Sequence, residues 1–159
     1  MTDISSINGQ KLLRKGDFHV GTQINKIISM KSSGISGSYF CLACGIDGSL
    51  HAILPLTEPT YNRLYALYSK MVISLEHMCG LNPRGYRQSE FTVRPPAAAF
   101  ASGNFLGVPG PRLIIDGDLI YQYISLDKQK QTELAELIGC SVNSLLDDLH
   151  AIIQTIDYF

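Results

Sequence analysis

The spacing of apolar residues in this 159-residue chain changes once, near Leu56, and that change asks for strands first and helices afterwards. Upstream, Phe18, Val20, Ile24, Ile27 and Ile28 read as one or two extended segments. After the link Lys31-Ser32-Ser33-Gly34, the apolar run Gly37–Ile46 has the length of a strand. Asp47-Gly48 predicts a two-residue hairpin turn, since both residue types tolerate positive φ, with Ser49–Leu56 as the returning strand. From Tyr61 the period is 3.6: Tyr61, Leu64, Tyr65, Tyr68, Met71, Val72 and Leu75 fall on one helix face. Thr57 is the expected N-cap and Pro59 suits the first turn. Cys79-Gly80 is the expected stop, where glycine can turn left-handed.

The second half continues as helices after an interruption. Residues 91–112 are rich in Pro, Gly and Ala and carry no sustained period, so they read as a long surface loop. Asp116 then predicts a helix start, with Gly117 and Asp118 in the first turn and the carboxylates beside unsatisfied N–H groups. Asp127 opens a further helix that stops at Gly139. Ser141 caps the next, which runs to about Ile156. The expected class is α+β, in three parts: a ragged segment 1–16, strands over 17–56, and a helical domain over 57–159.

Composition removes several function classes. Hydrophobic residues make up 45% and charged residues 17%, the balance of a folded chain rather than a disordered one. The net charge of −1 does not suit a general polyanion binder, yet the charge is uneven. Residues 1–95 hold ten Lys/Arg against six Asp/Glu, and residues 96–159 hold three against eight. No apolar segment follows the basic residues of the N-terminus as a secretory signal requires, and no run is long enough to span a bilayer. Four scattered cysteines read as reduced thiols of an intracellular protein.

No constellation of residues predicts catalysis. Cys41 and Cys44 have the spacing of a zinc pair, but residues three apart on a strand face opposite ways, so both read as buried free thiols. His19, His51, His77 and His150 are dispersed, with no nucleophile recognisable beside them. Gly103, Gly107 and Gly110 open no helix and make no phosphate loop. Catalytic, cofactor-binding and metal-ligating residues are therefore none. Glu133–Leu145, with Gly139 between two helices, has the rhythm of a helix-turn-helix. Against DNA reading stands its acidity: residues 126–159 carry two cations and six carboxylates, with Asp147 and Asp148 on the second helix. Arg84, Arg87 and Arg94, beside Tyr86 and Phe91, form the one basic cluster near aromatics. They are the candidate RNA or partner contacts, with pairing of Arg87 to the Asp116–Asp118 region as the competing structural role.

Three or four strands with open edges leave unpaired backbone groups that natural domains seldom leave bare, so these strands read as the closing part of a larger sheet assembly. The ordered motifs point the same way. Asp17-Phe18-His19-Val20-Gly21, the Asp47-Gly48 turn leading to Leu54-Pro55-Leu56, Gly80-Leu81-Asn82-Pro83-Arg84, Tyr86-Arg87 and Ile115-Asp116-Gly117-Asp118-Leu119 follow one another as in the CPSF A subunit family. The resemblance covers about nine-tenths of this chain and only the C-terminal region of the family. It is strongest to the branch of the large subunit of cleavage and polyadenylation specificity factor.

The resemblance implies β-propeller-closing strands over 17–56 and a C-terminal helical domain, with Asn82, Pro83, Asp116, Gly117 and Asp118 as structural motif residues. It implies a nuclear, non-enzymatic scaffold for pre-mRNA 3′-end cleavage and polyadenylation. That scaffold holds the other subunits, with RNA contacted directly or through them, and has no membrane role and no cofactor. The alternatives are an adaptor in a related DNA-damage ubiquitin-ligase or splicing assembly, and a helix-turn-helix DNA-binding protein. The chain departs from the family pattern in lacking the upstream propellers and in a longer, Pro/Gly-richer segment 91–112.

Overall fold

The change of period at Leu56 becomes a change of structure. The computed structural model describes residues 18–31, 39–87 and 114–156; the expected ragged segment 1–16 and loop 91–112 lie outside them. Three strands, β1 (Ile24–Lys31), β2 (Tyr39–Gly45) and β3 (Leu50–Ile53), form an antiparallel sheet in the order β1-β2-β3. Helices follow: α1 (Glu58–Ser74), α2 (Pro83–Arg87), α3 (Gly117–Ser125), α4 (Lys128–Ile138) and α5 (Val142–Ile156). The class is α+β.

Register across the sheet is set by Ile27 opposite Ala43, itself opposite His51, and by Ile28 opposite Leu42, opposite Ala52. The hairpin between β2 and β3 is present, but its turn is not the expected two-residue one. Gly48 N–H donates to the Gly45 carbonyl at 3.2 Å and Gly45 N–H to the Ser49 carbonyl at 2.8 Å, so Ile46, Asp47 and Gly48 make a three-residue loop. Only Gly48 has positive φ (85°). Asp47 stays out of that region because its carboxylate takes the Ser49 backbone N–H at 3.1 Å, an Asx turn that tightens the loop without it. β3 stops at Ile53, short of Leu56, because Pro55 has no N–H for the ladder.

α1 also ends earlier than expected, at Ser74 rather than Cys79. Leu75 is extended (φ −91°, ψ 143°) and its N–H closes on the Met71 carbonyl. The helix end is satisfied from downstream: His77 Nε2 lies 2.8 Å from the Val72 carbonyl and Asn82 Nδ2 3.5 Å from it. Left-handed backbone does occur at Cys79 (φ 55°) and Gly80 (φ 68°), inside a separate 3-10 turn, Met78–Gly80. At the other end Thr57 is the N-cap residue, but its hydroxyl donates to the Thr60 hydroxyl and accepts no backbone N–H of the helix.

Two of the three later helices have side-chain caps at their starts, while Asp127 stands at the N-cap position of α4 without a side-chain hydrogen bond. Asp116 accepts the Asp118 N–H at 3.1 Å at the start of α3, and Ser141 Oγ accepts the Ser144 N–H at 3.2 Å at the start of α5. α4 ends in a Schellman arrangement: Cys140 N–H reaches the Ala135 carbonyl and Gly139 N–H the Glu136 carbonyl, with Gly139 at φ 70°. A Cβ on Gly139 would meet nothing, so Gly139→Ala isolates the left-handed penalty. It is expected to cost about 1 kcal/mol, read from the urea midpoint.

Contacts divide the chain into two units, one of Val20–Pro83 and Ile115–Phe159, the other of Met1–His19 and Arg84–Ile114. The core of the first is helical. Leu64, Leu67, Tyr68, Met71 and Val72 of α1 pack with Leu119, Ile120 and Tyr123 of α3, Leu134 and Ala135 of α4, and Leu145 and Leu149 of α5. The buried sheet residues Phe40 and Ala43 stand outside that cluster. Since partners across an antiparallel pair share a face, Ile27 (62% exposed) and Ile53 (50%) lie on one face and Leu50 (66%) on the other. Apolar side chains thus reach solvent on both faces of the sheet.

Candidate functional site

Arg87 is the member of the basic cluster whose surroundings are defined. Within its own unit its guanidinium lies over the Phe18 ring at 5.5 Å and the Tyr86 ring at 5.3 Å, and Nη1 donates to the His19 carbonyl at 3.0 Å. The His19 N–H in turn donates to the Arg87 carbonyl at 2.8 Å. A planar cation held between two rings and tied to backbone holds two segments together, a role that lysine, with a point charge, could not fill. Arg84 belongs to the short helix α2, while Arg94 lies outside the described residues. Tyr86 is exposed, and Pro83 at the start of α2 is buried.

Asp116 is buried, and Gly117 and Asp118 are exposed in the first turn of α3. With its carboxylate on the Asp118 N–H, Asp116 serves as a helix cap. Asn82 reaches the end of α1, as described above. These motif residues therefore close helix ends.

The hairpin brings together residues that sequence reasoning left apart. Ser49 Oγ donates to Asp47 Oδ1 at 2.7 Å and lies 3.0 Å from His51 Nε2. A serine therefore stands beside a histidine, because alternate residues of an extended segment share a face. The direction of the protons is wrong for nucleophilic catalysis. The hydroxyl hydrogen goes to Asp47, leaving the ring as donor to Ser49, whereas an activated serine must give its proton to a base. The Ser49 side-chain and backbone hydrogen bonds hold the Asp47 carboxyl below its ordinary 3.8. They stabilise a turn.

The thiols differ from expectation in burial. Cys41 and Cys44 are half-buried rather than buried, because neither sheet face is fully covered, and Cys79 is exposed. No group of three metal-ligating side chains occurs among the described residues. No described helix is long and apolar enough to cross a membrane.

The helices carry one contact that no local pattern announces. Arg63 of α1 donates through Nε to Asp148 Oδ2 at 2.7 Å and through Nη2 to Oδ1 at 2.9 Å, a bidentate pair joining α1 to α5. The Asp148 hydrogen bonds hold the Arg63 guanidinium charged. Asp148, placed by its sequence position on a would-be recognition helix, thus faces α1.

The model of the family described as the CPSF A subunit region matches residues 2–125. The chain belongs to the CPSF A subunit family. It is similar to "Cleavage and polyadenylation specificity factor subunit 1" of Arabidopsis thaliana, at 38% identity over 92% of this chain and 10% of the relative. "Probable cleavage and polyadenylation specificity factor subunit 1" of Oryza sativa subsp. japonica is 35% identical over 91% of this chain, again 10% of the relative. "Protein CFT1" of Coccidioides immitis (strain RS) is 32% identical over 98% of this chain and 11% of the relative. The chain spans about a tenth of the length of these members of the CPSF A subunit family.

Proposed function

We propose that this chain is the C-terminal part of a scaffold subunit of the pre-mRNA 3′-end cleavage and polyadenylation machinery, acting in the nucleus by holding other subunits. The observation that carries the reading is the similarity over nine-tenths of the chain to relatives named cleavage and polyadenylation specificity factor subunit 1. In this reading residues 17–56 supply closing strands of a β-propeller and residues 57–159 form the adjoining helical domain. The solvent-facing Ile27, Leu50 and Ile53 support it, since a three-stranded sheet with apolar residues on both faces is suited to further β structure. Arg84, Arg87 and Arg94 are its candidate RNA or partner contacts. The chemistry of cutting and of polymerising belongs to other subunits.

Affinity purification of the tagged chain from nuclear extract, followed by mass spectrometry, tests this. Recovery of 3′-end processing subunits is the expected result. Recovery of cullin-ligase or spliceosomal subunits in their place overturns it in favour of a sister branch of the family.

A further inference from the structure

The tripeptide Ile-Asp-Gly occurs twice in the chain, at Ile46-Asp47-Gly48 and at Ile115-Asp116-Gly117. An aspartate followed by glycine is the aspartyl linkage most open to spontaneous isomerisation, because a residue without Cβ leaves its backbone nitrogen unshielded. That nitrogen attacks the aspartate Cγ, a C–N bond forms, and the amide hydrogen departs with the carboxyl hydroxyl as water. One water then opens the five-membered succinimide. Opening at Cγ restores aspartate, and opening at the main-chain carbonyl leaves an isoaspartyl linkage of unchanged composition. Solvent water is the sole co-reactant.

The fold treats these two identical tripeptides differently. Asp47 and Gly48 are both exposed in the loop between β2 and β3, and a Cβ on Gly48 would meet nothing. Solvent therefore reaches both reacting atoms. Asp116 is 3% exposed, its carboxylate takes the Asp118 N–H, and its carbonyl takes the Ile120 N–H at 3.2 Å. Closing a ring there would open the first turn of α3, which carries the buried Leu119 and Ile120. At the exposed site Ser49 supplies a restraint. Its Oγ–H and its N–H both go to Asp47 Oδ1. Those donors favour the carboxylate, whereas water leaves from the neutral acid. We propose that Asp47-Gly48 is a site of isoaspartate formation in the folded chain, that Asp116-Gly117 is shielded from it, and that Ser49 slows it. Isoaspartate adds a methylene to the main chain between the two hydrogen bonds that close the hairpin, so the modified chain carries a remodelled β2–β3 turn. The inference is independent of the scaffold reading, since it concerns the covalent chemistry of one loop.

The test is incubation of the full 159-residue chain near neutral pH at physiological temperature, followed by digestion and mass spectrometry. Synthetic aspartyl and isoaspartyl forms of both peptides serve as standards. Asn8-Gly9, outside the described residues, is told apart because deamidation changes the mass and isomerisation does not. In the folded chain isoaspartate is expected to accumulate at position 47 at least about tenfold faster than at position 116. In urea the two rates should converge, which also controls for the different residues after the glycines, Ser49 and Asp118. Ser49→Ala, its fold checked by circular dichroism, should raise the rate at position 47 about threefold. Equal rates in the folded chain, a faster rate at position 116, or no isoaspartate at position 47 while the unfolded chain forms it overturns the proposal. So does a rate at position 47 that Ser49→Ala leaves unchanged, and so does a difference between the sites that persists in urea, since the fold would then not be its cause.

Discussion

Replacing Gln131 by Leu is expected to destabilise the chain by about 2–3 kcal/mol, although leucine is the more apolar residue and the position is buried. Gln131 Nε2 donates to the Tyr123 carbonyl at 2.8 Å and to the Ile124 carbonyl at 3.3 Å, closing the C-terminal end of the α3 hydrogen-bond ladder. Tyr123 returns the contact, its hydroxyl donating to the Gln131 carbonyl at 2.9 Å. Leucine keeps the volume and takes the Gln131 donor from the buried Tyr123 carbonyl, which retains only the Leu126 N–H at 3.3 Å, and that desolvation sets the cost. Gln131→Glu should be worse still at neutral pH, because a carboxylate offers no donor. Urea denaturation of both variants against the parent chain measures this.

The same pair makes an alkaline signature. Burial pushes the Tyr123 hydroxyl above its ordinary 10.0, so the folded state prefers the neutral phenol. The stabilisation is complete below the unfolded value, near pH 10, and is lost as the pH rises through the raised folded value. Tyr123→Phe should therefore start less stable at neutral pH and fall less steeply above pH 10.

What the sequence made legible was whatever depends on neighbours in the chain. Asp116, Ser141 and Gly139 act within one turn of themselves, and the helix ends stand where those residue types put them. The end of α1 was not legible, because His77 and Asn82 determine it by folding back onto the Val72 carbonyl from five and ten residues away. The Asp47-Gly48 turn was legible as a turn but not as to type. The Asx hydrogen bond to Ser49 decides that, and either loop length satisfies the same residue preferences.

The candidate site divides along the same line. The Arg63–Asp148 pair spans 85 positions, and nothing in either local pattern distinguishes it from two solvated charges. The aromatic partners of Arg87 were half legible, since Tyr86 adjoins it while Phe18 is a whole fold away in sequence. The open sheet was anticipated from counting strands, yet its lack of a place in the helical core was not. Apolar runs in strands look alike whether the missing neighbour is a helix of the same domain or something else entirely.

That ambiguity yields the second large effect, a contrast between two aliphatic residues of similar size. Leu67 is fully buried in the helical core, and Leu67→Ala is expected to lose about 2–5 kcal/mol through lost transfer energy and the cavity left behind. Ile27, on the open face of β1, is 62% exposed, and Ile27→Lys should change the stability of the isolated chain by less than about 0.5 kcal/mol. The co-purification experiment should reverse the order for the variants that remain folded. A lysine at position 27 places a desolvated charge in any apolar interface that covers this face, so recovery of partners should drop while the thermal midpoint does not. Unchanged recovery with Ile27→Lys would mean that the sheet face meets only water in the assembly, and the scaffold contacts would then have to lie on the helices. A large loss of stability in the isolated chain would instead mean that the sheet contributes to the fold more than its exposure allows.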